Sequence, residues 1–167
     1  MRHVLAALTV VTLGALTATA ADEKYASKEG KYTVQFPAGG KVKNETKAAG
    51  TAKMEFAATE VNGKGFMVMY MELPKGAQNL PAKTLLDAGE TGGVDQSGGK
   101  LVSKKDIEFG NDKLPGREFV VEKDGNQANS RIVVTKSRLY VVTVAGPKDF
   151  ATSKEAVAFL DSFQLTK

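Results

Sequence analysis

Residues 52–72 read AKMEFAATEVNGKGFMVMYME. Two strand-like runs flank Asn62-Gly63, the dipeptide that best fits a two-residue type I′ hairpin turn. Such a turn sets the register, with Val61 opposite Lys64. Met54 then faces Met71, Phe56 faces Met69 and Ala58 faces Met67. The other face pairs Ala57 with Val68, Glu55 with Tyr70 and Lys53 with Glu72. Every methionine beyond Met1 therefore falls on one face. The FMVMYM run is apolar on both faces, the pattern of a strand covered on both sides at the centre of a sheet.

A second such run is LYVVTV (139–144). It follows REFVVEK (117–123) and NQANSRIVVT (126–135), which flank Asp124-Gly125, a second two-residue hairpin. That register puts Glu118 opposite Arg131, a structural ion pair. Residues 135–138 turn the chain into LYVVTV. YTVQF (32–36) alternates and ends at Pro37. AGGKVKNETKAAG (38–50) is polar and at best an edge strand; its Asn44-Glu45-Thr46 is a glycosylation sequon where a host uses one. In KLVSKKDIEFG (100–110), Ile107 and Phe109 share one side and Asp106 and Glu108 the other.

Two helices are expected. One starts at Asn79-Leu80-Pro81, carries Ala82, Leu85, Leu86 and Gly89 on one stripe, and stops near Gly89–Gly93. GGVDQSGGK (92–100) then reads as a flexible loop. The other follows a capping box at Thr152-Ser153-Lys154-Glu155, with Ala156, Val157, Leu160 and Phe163 as its apolar stripe.

The chain opens MRHVLAALTVVTLGALTATAAD: a positive start, a short apolar stretch and a small-residue site, which together predict a secretory signal peptide over residues 1–21. A single domain over 22–167 is expected, periplasmic or extracellular. No later stretch is long and apolar enough to predict a membrane span, and the absence of cysteine removes both a disulfide framework and a lipid-anchor site.

His3 is the lone histidine, so residues 22–167 hold neither His nor Cys. A Ser-His-Asp triad, a Cys nucleophile and a His/Cys zinc site are all excluded. The charge is +4, or about +3 without Arg2. The lysines are spread along the chain; the densest groups are Lys41, Lys43 and Lys47, and Lys100, Lys104 and Lys105. No aromatics interleave with them, which argues against nucleic acid. Gly93–Lys100 misses the phosphate-loop spacing G-x-x-x-x-G-K-S/T, and Ser97-Gly98-Gly99-Lys100 lacks the partners of an S-x-x-K nucleophile. Asp87, Glu90 and Asp95 match no calcium-loop spacing and are expected to be solvated.

Three stretches together resemble PsbP-like domains. YASKEGKYTVQFP (25–37) resembles their opening Y-S-x-x-G-x-(Y/F)-S-V-x-(Y/F)-P, FLDSF (159–163) their closing helix, and LPGRE (114–118) the turn into a strand in small secreted bacterial members. The resemblance implies an α/β/α sandwich: an antiparallel sheet of about six to eight strands with helices on its faces. Members include a photosystem II extrinsic subunit, a Ran-binding protein and exported bacterial proteins of unknown role, so it implies binding rather than catalysis. The photosystem subunits' histidine metal contacts have no counterpart here, and no functional residue carries over.

The expected function is an exported, non-enzymatic binding or scaffold domain for a protein or envelope component, with no cofactor. The alternative is a carrier of a small apolar ligand. The methionine face is expected to be a compliant core layer. Its other readings are an adaptable binding surface and a soft Cu(I) site of Met54, Met67, Met69 and Met71.

Overall fold

The computed structural model describes residues 22–50 and 52–167; the expected signal segment lies outside them. The strands are β1 (Glu23–Ser27), β2 (Tyr32–Phe36), β3 (Lys43–Ala49), β4 (Ala52–Val61), β5 (Lys64–Glu72), β6 (Lys100–Phe109), β7 (Leu114–Lys123), β8 (Asn126–Val134), β9 (Arg138–Pro147) and β10 (Gln164–Leu165). The α-helices are α1 (Ala82–Ser97) and α2 (Lys154–Ser162), with a 3-10 turn at Ala77–Asn79 before α1. Seven strands form one antiparallel sheet in the order β3-β4-β5-β9-β8-β7-β6, and β1-β2-β10 form a smaller sheet. The expected α+β class holds, with β5 and β9 adjacent at the centre.

Both dipeptide hairpins take the expected register. Asn62 and Gly63 have φ of 53° and 73°, and Asp124 and Gly125 have 50° and 78°, the positive-φ pairs of type I′ turns. Met54 pairs with Met71, Phe56 with Met69 and Ala58 with Met67. Glu118 pairs with Arg131, whose Nε donates to Glu118 at 2.6 Å. Tyr70 donates its hydroxyl to Glu55, its cross-strand partner, at 2.6 Å.

One face of the large sheet, carrying Phe66, Val68, Tyr70, Tyr140, Val142 and Val144, packs on Tyr32, Val34 and Phe36 of the small sheet and on Phe159 and Leu160 of α2. The stretch YASKEGKYTVQFP (25–37) serves this layer. Tyr140 donates its hydroxyl to the Gly30 carbonyl at 2.9 Å, and the Gly30 amide donates to Ser27 Oγ at 2.9 Å. A Cβ on Gly30 would lie 2.6 Å from the Tyr32 ring, so the turn closes only around glycine.

Three local expectations are corrected. First, α1 runs on to Ser97 through Gly89, Gly92 and Gly93, so 92–97 is helix and not loop. Each interior glycine costs about 1 kcal/mol relative to alanine. The cost is offset where glycine lets the helix approach the sheet: a Cβ on Gly89 would lie 2.9 Å from Ile132 Cδ1, and one on Gly93 3.0 Å from Phe119 Cζ. Helix termination falls instead to Gly98, left-handed at φ 61°, whose amide donates to the Val94 and Asp95 carbonyls. Second, the cap of α2 is Ser153, whose hydroxyl accepts from the Ala156 amide. Glu155 therefore sits one position too early for a capping box and pairs with Lys64 at 2.6 Å. Third, Phe159 rather than Val157 is the buried member of the α2 stripe; Val157 is exposed.

The lysine groups are placed as edge protection predicts. Lys43 and Lys47 lie on β3, and Lys100, Lys104 and Lys105 on β6, the two edges of the large sheet.

Candidate functional site: an apolar groove beneath helix α1

The methionines lie on the face that α1 covers only in part. Leu85 and Leu86 of α1 pack with Phe119, Val121, Ile132 and Val134, so the helix sits over β7 and β8. Among the described residues no helix is centred over β4 and β5 on this face. On β5, Phe66, Val68 and Tyr70 are buried against the other layer, whereas Met67, Met69 and Met71 are half-buried. Met54 and Phe56 of β4 are half-buried too. Met69 and Met71 do touch the second core, but the four methionines do not form the closed core layer the sequence suggests. They line a cavity of about 550 Å³ between α1 and β4, β5 and β9.

The roof follows from helix geometry. Leu85, Ala88, Gly92 and Gln96 recur at spacings of three and four, which puts them on one stripe of α1, and all four line the cavity. Gly92 differs from its neighbours: a Cβ built on it meets nothing within 4 Å. Its missing side chain leaves the groove open where Gly89 and Gly93 seat the helix.

The lining is polarised along its length. One end is Leu73, Pro74 and Ala77; the other carries Gln96, Ser130 and Thr143, the last two hydrogen-bonded to each other at 2.9 Å. A neighbouring cavity of about 640 Å³ shares Phe56, Met67, Gln96 and Thr143 with the groove and extends it to Lys41 and to Lys43, Glu45 and Lys47 of β3.

On its far side α1 is anchored by ions. Arg117 of β7, with a side chain 5% exposed, donates through Nη1 to Asp87 at 2.6 Å and to Glu90 at 2.8 Å, and through Nε to Asp106 at 2.8 Å. Lys104 adds a bond to Glu90 at 2.8 Å. Hydrogen bonds from Lys83 and then Arg117 hold the Asp87 carboxyl down at about 2. Burial pushes Glu90 up, but the bonds from Lys104 and Arg117 outweigh it and leave it below the usual carboxylate range. The carboxylates keep Arg117 firmly charged. The expectation of solvated acids is thus corrected for Glu90, which is buried; Asp87 keeps its contact with water while tied to Lys83 and Arg117. Among the described residues no group of three or more His, Cys, Asp or Glu is placed to hold a metal ion. In the hairpin register Phe56 and Ala58 stand among the thioethers proposed for Cu(I), so the row is interrupted.

A long helix on one face of an antiparallel seven-stranded sheet, with a short helix and a small sheet on the other, defines a PsbP-like fold. The chain is similar to the solution structure of cyanobacterial PsbP (CyanoP) from Synechocystis sp. PCC 6803, with a TM-score of 0.62 and 10% identity over 93% of this chain and 98% of that one. No protein-family model matches the sequence, and no curated protein does. Among the described residues no helix is long and apolar enough to cross a membrane.

Proposed function

We propose that the protein is an exported, non-catalytic carrier that holds a small apolar ligand between α1 and the methionine face. The observation that carries this reading is the cavity of about 550 Å³ under α1, within the usual range of small-molecule sites. Its walls are Met, Leu, Val, Phe and Gly with a few polar groups at one end, the composition that binds apolar molecules and orients them. Methionine suits such a wall because its unbranched side chain repacks around ligands of different shape. Phe56 and Ala58 among the thioethers fit an apolar ligand better than a soft metal.

The neutral fluorophore N-phenylnaphthylamine tests the proposal, followed by displacement with primary alcohols of increasing length. Saturable fluorescence is expected, with alcohol affinity rising about fourfold per methylene, since each buried CH₂ contributes about 0.8 kcal/mol, until the groove is filled. Fluorescence that fails to saturate, or displacement indifferent to chain length, rejects the carrier.

A further inference from the structure

We propose that the ligand is a single-chain anionic amphiphile, a long-chain fatty-acid anion, with its chain along β5 and its carboxylate at Lys41 and Lys43. This rests on the carrier reading of the groove and specifies the ligand's polarity and charge.

The groove is itself amphipathic in the long direction. Its Leu73–Pro74–Ala77 end offers side chains without hydrogen-bonding groups, and its Gln96–Thr143 end offers an amide and hydroxyls. Beyond that end lies the neighbouring cavity, which shares Phe56, Met67, Gln96 and Thr143 with the groove and reaches the lysines. In the sheet register Lys43 lies opposite Ala58 and Lys47 opposite Met54, so these lysines stand on the same face as the methionine row. Along β5, Met71 to Gly65 spans about 20 Å at strand rise. That length and a corridor under one helix suit one acyl chain.

The charge at the head end is positive on balance. Lys41 and Lys43 line it with Glu60, while Glu45 and Lys47 lie farther along β3, opposite Phe56 and Met54. Glu45 lies 3.4 Å from Lys47, whose ammonium also sits 5.2 Å above the Phe56 ring. Among the described residues Lys41 and Lys43 form no ion pair, which leaves them to an incoming anion. The negative end of the α1 dipole, which would oppose one, is answered by Lys123, whose Nζ donates to the Ser97 carbonyl at 3.1 Å. The positive charge of the whole chain draws anionic amphiphiles in the same sense.

Displacement of N-phenylnaphthylamine by hexadecanoate, hexadecanol and hexadecyltrimethylammonium, at about pH 8 where the acid is ionised, separates the outcomes. Hexadecanoate is expected to bind about three- to tenfold more tightly than hexadecanol, and the cationic amphiphile most weakly; the differences shrink as salt is added. Lys41→Glu with Lys43→Glu is expected to erase the preference for hexadecanoate and to leave hexadecanol within about twofold. Equal affinity for acid and alcohol, unchanged by the lysine variants, overturns the anionic head while the carrier reading stands. Failure of all three to displace the fluorophore overturns the carrier reading as well.

Discussion

Replacing Gly92 by Leu is expected to close the groove and weaken hexadecanol binding by at least about tenfold while the protein stays folded. The substitution suits the helix, since leucine is favoured over glycine in a helix interior by about 0.5–1 kcal/mol. The space suits it too, because a Cβ at Gly92 meets nothing within 4 Å. Gly92 shares the stripe of Leu85, Ala88 and Gln96, so a leucine there projects toward the ligand volume. The expected signature is a melting temperature equal to or about 2–4 °C above that of the parent, together with lost affinity. Gly93→Leu is the control: its Cβ would lie 3.0 Å from Phe119 Cζ, so it shifts the helix and lowers stability. Unchanged hexadecanol affinity in the Gly92→Leu variant would move the ligand away from α1 and contradict the carrier assignment.

Arg117→Ala is expected to destabilise the protein by about 2–3 kcal/mol. The figure sits just below the roughly 3–5 kcal/mol that breaking a fully buried ion pair costs, because Asp87 and Asp106, 46% and 70% exposed, still reach water. The cost lies mainly in Glu90, whose side chain is 9% exposed and would keep only Lys104. Adding Glu90→Gln to the variant removes the stranded charge and is expected to restore part of the loss. The same cluster sets a pH dependence. Asp87 is lowered from 3.8 to about 2, and Glu90 is lowered as well. A carboxyl whose folded pKa is depressed stabilises the fold above its unfolded pKa, and that contribution is lost as pH falls through the folded one. Stability is therefore expected to fall between about pH 4 and pH 2, and to fall less steeply in Arg117→Ala. Urea midpoints measured across this range at constant salt check the claim. Equal slopes in both proteins would show that Arg117 does not hold these carboxylates.

The hairpins were legible because their signal is local. Asn62-Gly63 and Asp124-Gly125 adopt positive φ in the two residues themselves, and strand alternation then carries the register outward. The end of α1 was not legible, because glycine's helix penalty is local while its compensation is tertiary. Nothing near Gly89 or Gly93 announces that Ile132 and Phe119 will lie against them. The same limit hid the anchor: Arg117 meets Glu90 and Asp87 across sequence separations of 27 and 30 residues. The groove was half legible. The turn alone places the methionine row on one face, and an apolar row on a central strand reads as covered. How far sideways a helix sits on a sheet leaves no period in the sequence. Here α1 sits over β7 and β8, and the row became a wall.

The most direct test uses the methionines as reporters. Beyond Met1 the chain has only Met54, Met67, Met69 and Met71, and all four line the groove. With ¹³C-methyl methionine incorporated, each methyl signal is assigned by single substitution to leucine and followed during titration with hexadecanoate. The carrier account predicts that all four signals shift and saturate together at one equivalent. Saturable binding with the four methyl signals unmoved would place the ligand elsewhere and contradict it.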